Sequence, residues 1–495
     1  MIISYADSAL SVLPPLVAIT LAILTRKVLL SLGVGIVFGA LLLTDFSLVS
    51  SGEYILNTAS QLVWKDAALN SWNVYILGFL IVLGMITALI TVSGSARAFA
   101  DWAKLRIRNK RDAKLMTMFL GCVVFIDDYF NSLVVGSISR PITDRYHISR
   151  AKLAYILDST AAPVCVISPV SSWGAYIIAL IGGILTAHGF TDSGHLSVFI
   201  QMIPMNFYAI FSLLLLLCVA TFSLDVGPMR QHELNALRGN LFDESKGQPP
   251  GAVTDLPEAD TGKVIGLFLP IAVLVFATVY FMVSSGADVL ATKDLPFNVL
   301  GAFENTDVSS SLFFGSVIGL MATLILAIQQ KVDLSMLLKG MSVGARSMLP
   351  AIYILLFAWT ISSVIGQLET GKYMASLATD NIPFALLPAV LFLLAGITAF
   401  STGTSWGTFG IMLPIAADMA MGSDSTMMLP MLAAVLSGAV FGDHCSPISD
   451  TTILSSTGAS CHHIDHVVTQ LPYALIAALI SLVGYTVLGF TGSLI

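Results

Sequence analysis

Long apolar stretches, with few charged residues between them, follow one another along almost the whole chain. Of its 495 residues, 56% are hydrophobic and only 11% are charged, and the mean hydropathy is +0.87. Soluble domains carry about 25% charged residues, so this composition excludes a cytosolic enzyme, a nucleic-acid-binding protein and a disordered chain. A bilayer crossing takes about 20 apolar residues. The sequence therefore predicts an all-α polytopic membrane protein with about ten transmembrane helices.

The basic residues are distributed unevenly between the loops, and this asymmetry predicts the orientation of the chain. Two stretches, 115–138 and 383–420, do not fit simple crossings, and we expect each to be a re-entrant hairpin that enters and leaves on one side. With that assumption, 20 of the 23 Lys and Arg residues fall on the cytoplasmic side, as the positive-inside rule requires. The predicted location is the inner (cytoplasmic) membrane, with several crossings and both termini outside.

Short patterns recur in the two halves of the chain at offsets of 268 to 280 residues. For example, Ser168-Pro169 in the first half corresponds to Ser446-Pro447 in the second. Each half is predicted to hold five crossings and one hairpin, an odd number, so the second half enters the membrane in the opposite sense. Inverted repeats with broken helices near the midplane are typical of secondary transporters. The predicted organisation is a first repeat over 1–222 with hairpin 115–138 and broken helix 151–187, a cytoplasmic linker over 223–262, and a second repeat over 263–495 with hairpin 383–420 and broken helix 427–463.

Acidic and hydroxyl residues interrupt the apolar sequence in two pairs of segments, one pair in each half. A carboxylate at the membrane centre costs about 2.5 to 3.5 kcal/mol, and a repeated cost of that size indicates function. The candidate site residues are Asp127, Asp128, Asn131, Asp158, Ser168 and Ser171 in the first half, and Thr402, Thr404, Ser405, Asp443 and Asp450 in the second.

Proline and glycine in the same segments indicate how such a site would bind its ligand. They interrupt the helix and leave carbonyl oxygens free at membrane depth, which is tolerated only around a protein-lined cavity. Carbonyl, hydroxyl and carboxylate oxygens together suit a hard cation such as sodium. Burial favours a protonated carboxylate and a bound cation favours an ionised one, so protons and sodium compete for the same group.

Several of these residues have a second interpretation that the sequence leaves open. Asp127 and Asp128 are adjacent and point about 100° apart on a helix, so we expect only one of them to face the site. Asp158 is either a site residue or a charge partner of Arg150, Lys152 or His444. The hydroxyl residues also suit helix packing. The string from Cys461 to His466 fits no zinc spacing and is interpreted as a solvated turn or a place where pH is sensed.

Residues 442–456, with the sequence GDHCSPISDTTILSS, resemble the NhaC family of sodium/proton antiporters within the ion transporter superfamily. The twin-half organisation matches that family along essentially the whole chain. The resemblance implies two scaffold-and-transport halves, elevator-type movement, often a homodimer, and sodium coupling. It also implies a sodium-binding region formed by Asp443, Ser446, Ser449, Asp450 and Thr451. Some relatives exchange malate for lactate with protons and sodium, and others carry amino acids.

The leading interpretation is a secondary active transporter that exchanges Na+ for H+ at buried carboxylates by alternating access. The alternative is a sodium-coupled transporter or exchanger of a small organic solute, an amino acid or a carboxylate such as malate or lactate. This alternative stays open because a site for a cation alone does not need the aromatic and amide side chains of Tyr129, Asn131 and Trp406. A channel is disfavoured because it requires a continuous pore, and an enzyme because no nucleophile, base and orienting group occur together. We expect no cofactor other than Na+ as a coupling or transported ion, and no nucleic acid partner.

Overall fold

Most of the described part of the chain is helical. The computed structural model describes residues 5–25, 27–65, 67–103, 107–125, 127–169, 171–188, 195–251, 258–370, 373, 383–423 and 425–491. Within them the extended structure consists of one small antiparallel hairpin, β1 (Trp64–Lys65) paired with β2 (Ala68–Leu69), in which Trp64 faces Leu69. The predicted all-α class is therefore confirmed for the described part of the chain.

The helices are numbered here in chain order. The first half contains α1 (Leu13–Thr25), α2 (Val28–Leu43), α3 (Leu48–Gln61), α4 (Ser71–Val92), α5 (Ser95–Ala103), α6 (Lys110–Val123), α7 (Asp128–Arg145), α8 (Arg150–Ile167), α9 (Ser172–Ala187), α10 (His195–Met202) and α11 (Phe207–Phe222). The linker carries α12 (Pro228–Leu237). The second half contains α13 (Ile265–Thr292), α14 (Val299–Glu304), α15 (Val308–Gln329), α16 (Leu334–Ser347), α17 (Leu349–Gln367), α18 (Leu387–Thr402), α19 (Ser405–Ser423), α20 (Met428–Cys445), α21 (Asp450–Gly458) and α22 (His463–Thr491).

Seven helical segments among the described residues are long and apolar enough to cross a membrane. The number rises to nine if two bent helix pairs each count as one span: Leu29–Leu43 with Leu48–Gln61, bent by 120°, and His195–Met205 with Phe207–Phe222, bent by 50°. So many apolar helices in one chain identify a multi-pass membrane protein. The expected total of about ten crossings stays a prediction.

Each of the two stretches expected to be a re-entrant hairpin consists of two helices separated by a break. Stretch 115–138 falls on α6 and α7, and stretch 383–420 falls on α18 and α19. Gly403 separates the second pair with a φ of +71°, and a Cβ there would lie 2.6 Å from the carbonyl oxygen of Ile448. Glycine is therefore required at that turn for its conformation and for close approach. Phe384–Thr402 also has the length and composition of a full crossing, and the re-entrant course of either pair stays a prediction.

The helix boundaries recur between the two halves. Asp128, Arg150 and Ser172 begin α7, α8 and α9, and Ser405, Met428 and Asp450 begin α19, α20 and α21, either 277 or 278 residues later.

The helix ends match as well, because α8 and α20 both stop at a serine that precedes proline. Ser168 has φ −96° and ψ 116°, and Ser446 has φ −85° and ψ 125°. A residue before proline is driven out of the helical region and into extended conformation. The Ser-Pro pair therefore breaks the helix at the same place in each half.

Helix α21 belongs to the second half but packs between α7 and α8 of the first. Glycines permit this close approach, because a Cβ on Gly136 would lie 2.6 Å from the carbonyl oxygen of Gly458. The hydroxyl oxygens of Ser132 and Ser455 lie 2.9 Å apart across the same contact. The break that precedes α21 is consequently enclosed by residues of both halves.

The polar linker over 223–262 packs against helices from both halves. Glu233 accepts hydrogen bonds from the backbone nitrogen and the hydroxyl of Ser149, at 2.9 and 2.7 Å. Lys246 forms a salt bridge of 2.6 Å with Asp465 at the start of α22. The described part of this segment therefore connects the beginning of α8 with the beginning of α22.

Candidate functional site

The candidate site lies where α7, α9, α19 and the break between α20 and α21 meet. The hydroxyl of Tyr129, on α7, donates a hydrogen bond to Oδ2 of Asp450, the first residue of α21. The indole nitrogen of Trp173, on α9, donates to Oδ1 of Asp128 at 2.9 Å. An acid from each half is therefore held by an aromatic donor from the first half.

Asp443 is enclosed by hydroxyl groups in the second half. It is fully buried and accepts hydrogen bonds from Ser405 at 2.6 Å and from Ser449. The hydroxyl oxygens of Ser449 and Thr451 lie 2.9 Å apart. We call Ser405, Asp443, Ser449 and Thr451 the hydroxyl cluster. Its side-chain oxygens come from three adjoining segments and are the ligand type that a hard cation prefers.

Asp450 lies next to this cluster at the first position of α21. The unpaired amide groups of a helix N-terminus favour a negative charge at that position. The side chain retains 7% of its exposure, because one side of it borders a cavity. Asp443 is therefore closed off, whereas Asp450 is accessible to a solute in that cavity.

Three buried acids of this region have no basic partner in the described part of the chain. No Lys, Arg or His among the described residues forms an ion pair with Asp128, Asp443 or Asp450. Oδ2 of Asp128 also has no hydrogen-bond partner there. Ionised acids without compensation are expensive at membrane depth. These carboxyl groups therefore need protons or bound cations.

Other predicted residues satisfy the backbone groups that the helix breaks expose. The Ser171 hydroxyl donates to the carbonyls of Cys165 and Ser168, at 2.7 and 2.9 Å. The Ser446 hydroxyl donates to the Phe400 carbonyl at 2.7 Å. Thr402 Oγ1 makes longer contacts of 3.5 and 3.4 Å with the carbonyls of Ala399 and Thr404. In this structure Ser171 and Ser446 stabilise the breaks.

Asp127 and Asn131 hold the turn between α6 and α7. Asp127 caps α7 by accepting from the backbone nitrogen of Phe130 at 3.0 Å, a common role for aspartate at this position. The Asn131 amide donates to the carbonyls of Gly121 and Val124 at the end of α6, at 2.6 and 2.7 Å. Asp128, between them, is the acid that Trp173 contacts.

Asp158 belongs to a separate buried network that joins α8 to α21 and α22. It accepts from Ser455 at 3.0 Å and from Gln470 at 2.5 Å, and Nε2 of His466 lies 3.1 Å from its Oδ2. Gln470 also donates to the carbonyl of His444 at 2.9 Å. The structure thus places Asp158 in direct contact with His466. His444, one of the three basic residues considered from the sequence as its partner, is joined to it through Gln470.

A cavity of about 490 Å³ borders the site. Trp72, at the start of α4, lines it and keeps 41% of its exposure. Its wall is formed by Trp72, Asn73, Tyr129, Tyr176, Ala358, Trp359, Ser362, Gly403, Thr404, Trp406, Ile448 and Asp450. Thr404 and Asp450 are the predicted site residues in this wall.

Sequence reasoning missed several side chains that the structure places here. Trp173 was not recognised as a partner of Asp128, and Trp72 and Trp359 were not associated with the site. One signal was available for the Asp158 network, because His466 and Gln470 are polar residues spaced by four in the first turns of α22 and therefore lie on the same face of that helix. Trp72 and Trp173 gave no such signal, since aromatic residues are common at the ends of membrane helices. Trp359 lies in the interior of the apolar helix α17, where its neighbours in sequence give no sign of a site.

The histidine-rich segment 461–466, after α21, contacts the helix break, the Asp158 network and the linker. Nε2 of His463 lies 2.8 Å from the carbonyl oxygen of Pro447, so this ring contacts the break between α20 and α21. His466 contacts Asp158, and Asp465 pairs with Lys246. In the described ranges no group of three or more His, Cys, Asp or Glu side chains is arranged to hold a metal ion.

Replacement of Asp158 tests whether this network is structural. Asp158→Ala leaves buried polar atoms of Ser455, His466 and Gln470 without their acceptor, and each unsatisfied group costs about 1 to 3 kcal/mol. We expect thermal unfolding of the detergent-purified protein to shift several degrees lower. The control is Asp288→Ala, at an exposed position in the last turns of α13. Equal unfolding temperatures for the two variants would show that the network does not stabilise the fold.

Comparison of the sequence with known proteins identifies the family of this chain. Residues 164–490 match the Na+/H+ antiporter family. A Haemophilus influenzae protein of no stated function is 51% identical over 493 residues, which are 99% of this chain and 93% of that protein.

Two characterised relatives match over shorter ranges. The malate-2H(+)/Na(+)-lactate antiporter of Bacillus subtilis is 34% identical over 152 residues, which are 30% of this chain and 31% of that one. The arginine/ornithine antiporter ArcD of Halobacterium salinarum is 34% identical over 150 residues, 30% of this chain and 29% of that one. The family match spans more than half of the chain and contains the hydroxyl cluster and Asp450. The chain is a member of the Na+/H+ antiporter family, as the sequence motif predicted.

Proposed function

We propose that this protein is a sodium/proton antiporter that exchanges Na+ for H+ at Asp443 and Asp450 by alternating access. The observation that carries the proposal is the set of buried acids which the described residues leave without a basic partner. A site of this kind is occupied either by protons or by a cation. Membership of the family supports secondary antiport in general. The buried acids support exchange of a cation for protons in particular.

The hydroxyl cluster is the proposed sodium site. Asp443 supplies the negative charge, and Ser405, Ser449 and Thr451 supply neutral oxygens within hydrogen-bond reach of it or of one another. When Na+ binds, the hydroxyl groups turn their lone pairs to the ion. When Na+ leaves, the carboxyl groups take up protons, because an unpaired charge is not tolerated at this depth.

Asn substitutions test the two acids directly. Asp443→Asn and Asp450→Asn preserve side-chain volume but can neither neutralise a cation nor release a proton. We expect each variant to remain folded and to lose sodium-dependent proton movement in proteoliposomes, measured with an internal pH dye after a sodium pulse.

The matched control for these variants is Asp45→Asn. Asp45 is exposed in a turn with a φ of 53°, a conformation that asparagine also adopts readily, so sodium-driven proton movement should be unchanged. Wild-type sodium dependence in both Asp443→Asn and Asp450→Asn would remove the second-half motif from the site.

The proposed exchange uses two inverted repeats that move as an elevator, in an inner-membrane homodimer with both termini outside. The recurring helix boundaries support the repeats, and the distribution of basic residues supports the orientation. A cysteine-free variant that carries one new cysteine at Lys65 or at Arg111, both exposed, tests the orientation. In intact cells a membrane-impermeant maleimide should label the Lys65 position and leave the Arg111 position unlabelled. The reverse pattern would contradict the proposed topology.

A further inference from the structure

The cavity beside Asp450 is larger than a sodium ion requires. A water molecule occupies about 30 Å³ of the liquid, whereas this cavity measures about 490 Å³. Sites for small organic ligands span about 300 to 1,000 Å³ and combine an apolar wall with a few polar groups. The volume therefore suits an organic solute next to the cation site.

The charge of the cavity wall determines which class of organic solute suits the cavity. Asp450 is the one charged side chain among the described residues that line the cavity. A carboxylate such as malate or lactate would face this acid without meeting a Lys, Arg or His in that part of the wall. A positively charged solute would instead find a buried counter-charge, so the geometry favours a cation.

The aromatic residues favour an organic ammonium group in particular. Five aromatic side chains line the cavity: Trp72, Tyr129, Tyr176, Trp359 and Trp406. Aromatic faces attract ammonium groups through their quadrupoles, and tryptophan does so most strongly. A metal cation in water is too strongly hydrated to gain from such a wall, whereas a substituted ammonium carries apolar surface that the rings can cover.

The rings are held in place before any ligand binds. Around Trp406 the ring centroids of Tyr176, Trp173 and Trp72 lie at 4.8, 5.7 and 6.5 Å. Trp173 is in turn fixed by its hydrogen bond to Asp128. A preformed wall reduces the ordering that a ligand must impose on binding.

We propose that this cavity binds a small organic ammonium solute, with its charged group beside Asp450 and its substituents against Trp359 and Trp406. The inference rests on the proposed function, because Asp450 is assigned there to sodium and proton exchange. One carboxylate neutralises one positive charge, so sodium, protons and the ammonium compete for Asp450. The solute is then exchanged against the ions at the same step of the transport cycle.

A positively charged ammonium group is present both in primary amines and in quaternary amines. A binding experiment distinguishes these two kinds of solute. Purified wild-type protein is titrated with putrescine and lysine as primary amines and with choline and tetramethylammonium as quaternary ones. Lactate and malate serve as anionic comparisons. Binding is followed by tryptophan fluorescence and by the shift in unfolding temperature, each with and without sodium. At least one amine should bind and be displaced by sodium, and the two anions should not bind.

Variants then locate the binding site. Trp359→Leu should weaken binding of the amine about tenfold through the loss of one ring, and Asp450→Asn should abolish it. Trp64→Leu is the matched control, because Trp64 is exposed on β1 and does not line the cavity. Failure of all four amines to bind, or equal effects of the Trp359 and Trp64 variants, would overturn the inference.

A separate readout distinguishes this failure from failure of the proposed function. Binding of radioactive sodium to the wild type and to Asp443→Asn reports on the hydroxyl cluster, which lies outside the described cavity wall. Sodium binding that depends on Asp443 without binding of any amine leaves cation/proton exchange in place and overturns the ammonium site. Amine binding without sodium binding would contradict the antiporter proposal and the competition with sodium at Asp450, and would leave the ammonium site itself in place.

Discussion

The structure depends on the burial of three carboxyl groups, those of Asp128, Asp443 and Asp450, for which the described residues supply no basic partner. Each ionised carboxylate at membrane depth costs about 2.5 to 3.5 kcal/mol. Hydrogen bonds from serine, tyrosine and tryptophan offset only part of that free energy. Asp443 receives two hydroxyl donors and Asp128 receives one indole donor. Protons or bound cations must supply the remaining compensation, which makes occupancy of the site a condition of its stability.

The broken helices explain how oxygen atoms come together at that depth. Proline forces the preceding serine of α8 and of α20 into extended conformation, and the carbonyls released by each break are then satisfied by hydroxyl groups. The second break also lets α21 turn inward between α7 and α8, where Tyr129 reaches Asp450 across the two halves. Closure of the site therefore requires both halves.

Part of this arrangement could be predicted from the sequence because it depends on local rules. Hydropathy predicted a helical membrane protein, and Ser-Pro pairs predicted breaks at Ser168 and Ser446. Acids flanked by hydroxyl residues predicted that Asp443 and Ser405 lie in polar surroundings, and the two are in contact. These signals lie within a few residues of the features that they describe.

The remaining contacts depend on packing between distant segments. Asp158 was assigned to the site because it is acidic, but the residues that surround it come from α21 and α22, about 300 positions later in the chain. The cavity is lined by residues of α4, α17 and α19. Trp72 and Trp406 lie at helix starts, where aromatic residues are common, and Trp359 lies within the apolar interior of α17. Only the three-dimensional arrangement shows that Trp72, Trp359 and Trp406 share one space with Asp450.

The proposed exchange requires sodium and protons to compete for the same buried carboxyl groups. This competition can be measured as proton release by purified protein in a weakly buffered solution when sodium is added, recorded with a pH indicator dye. We expect sodium binding to release protons and the apparent sodium affinity to fall as the pH is lowered, because protonated carboxyl groups must be deprotonated before the ion binds. Sodium binding without proton release, at an affinity independent of pH, would contradict the proposed exchange.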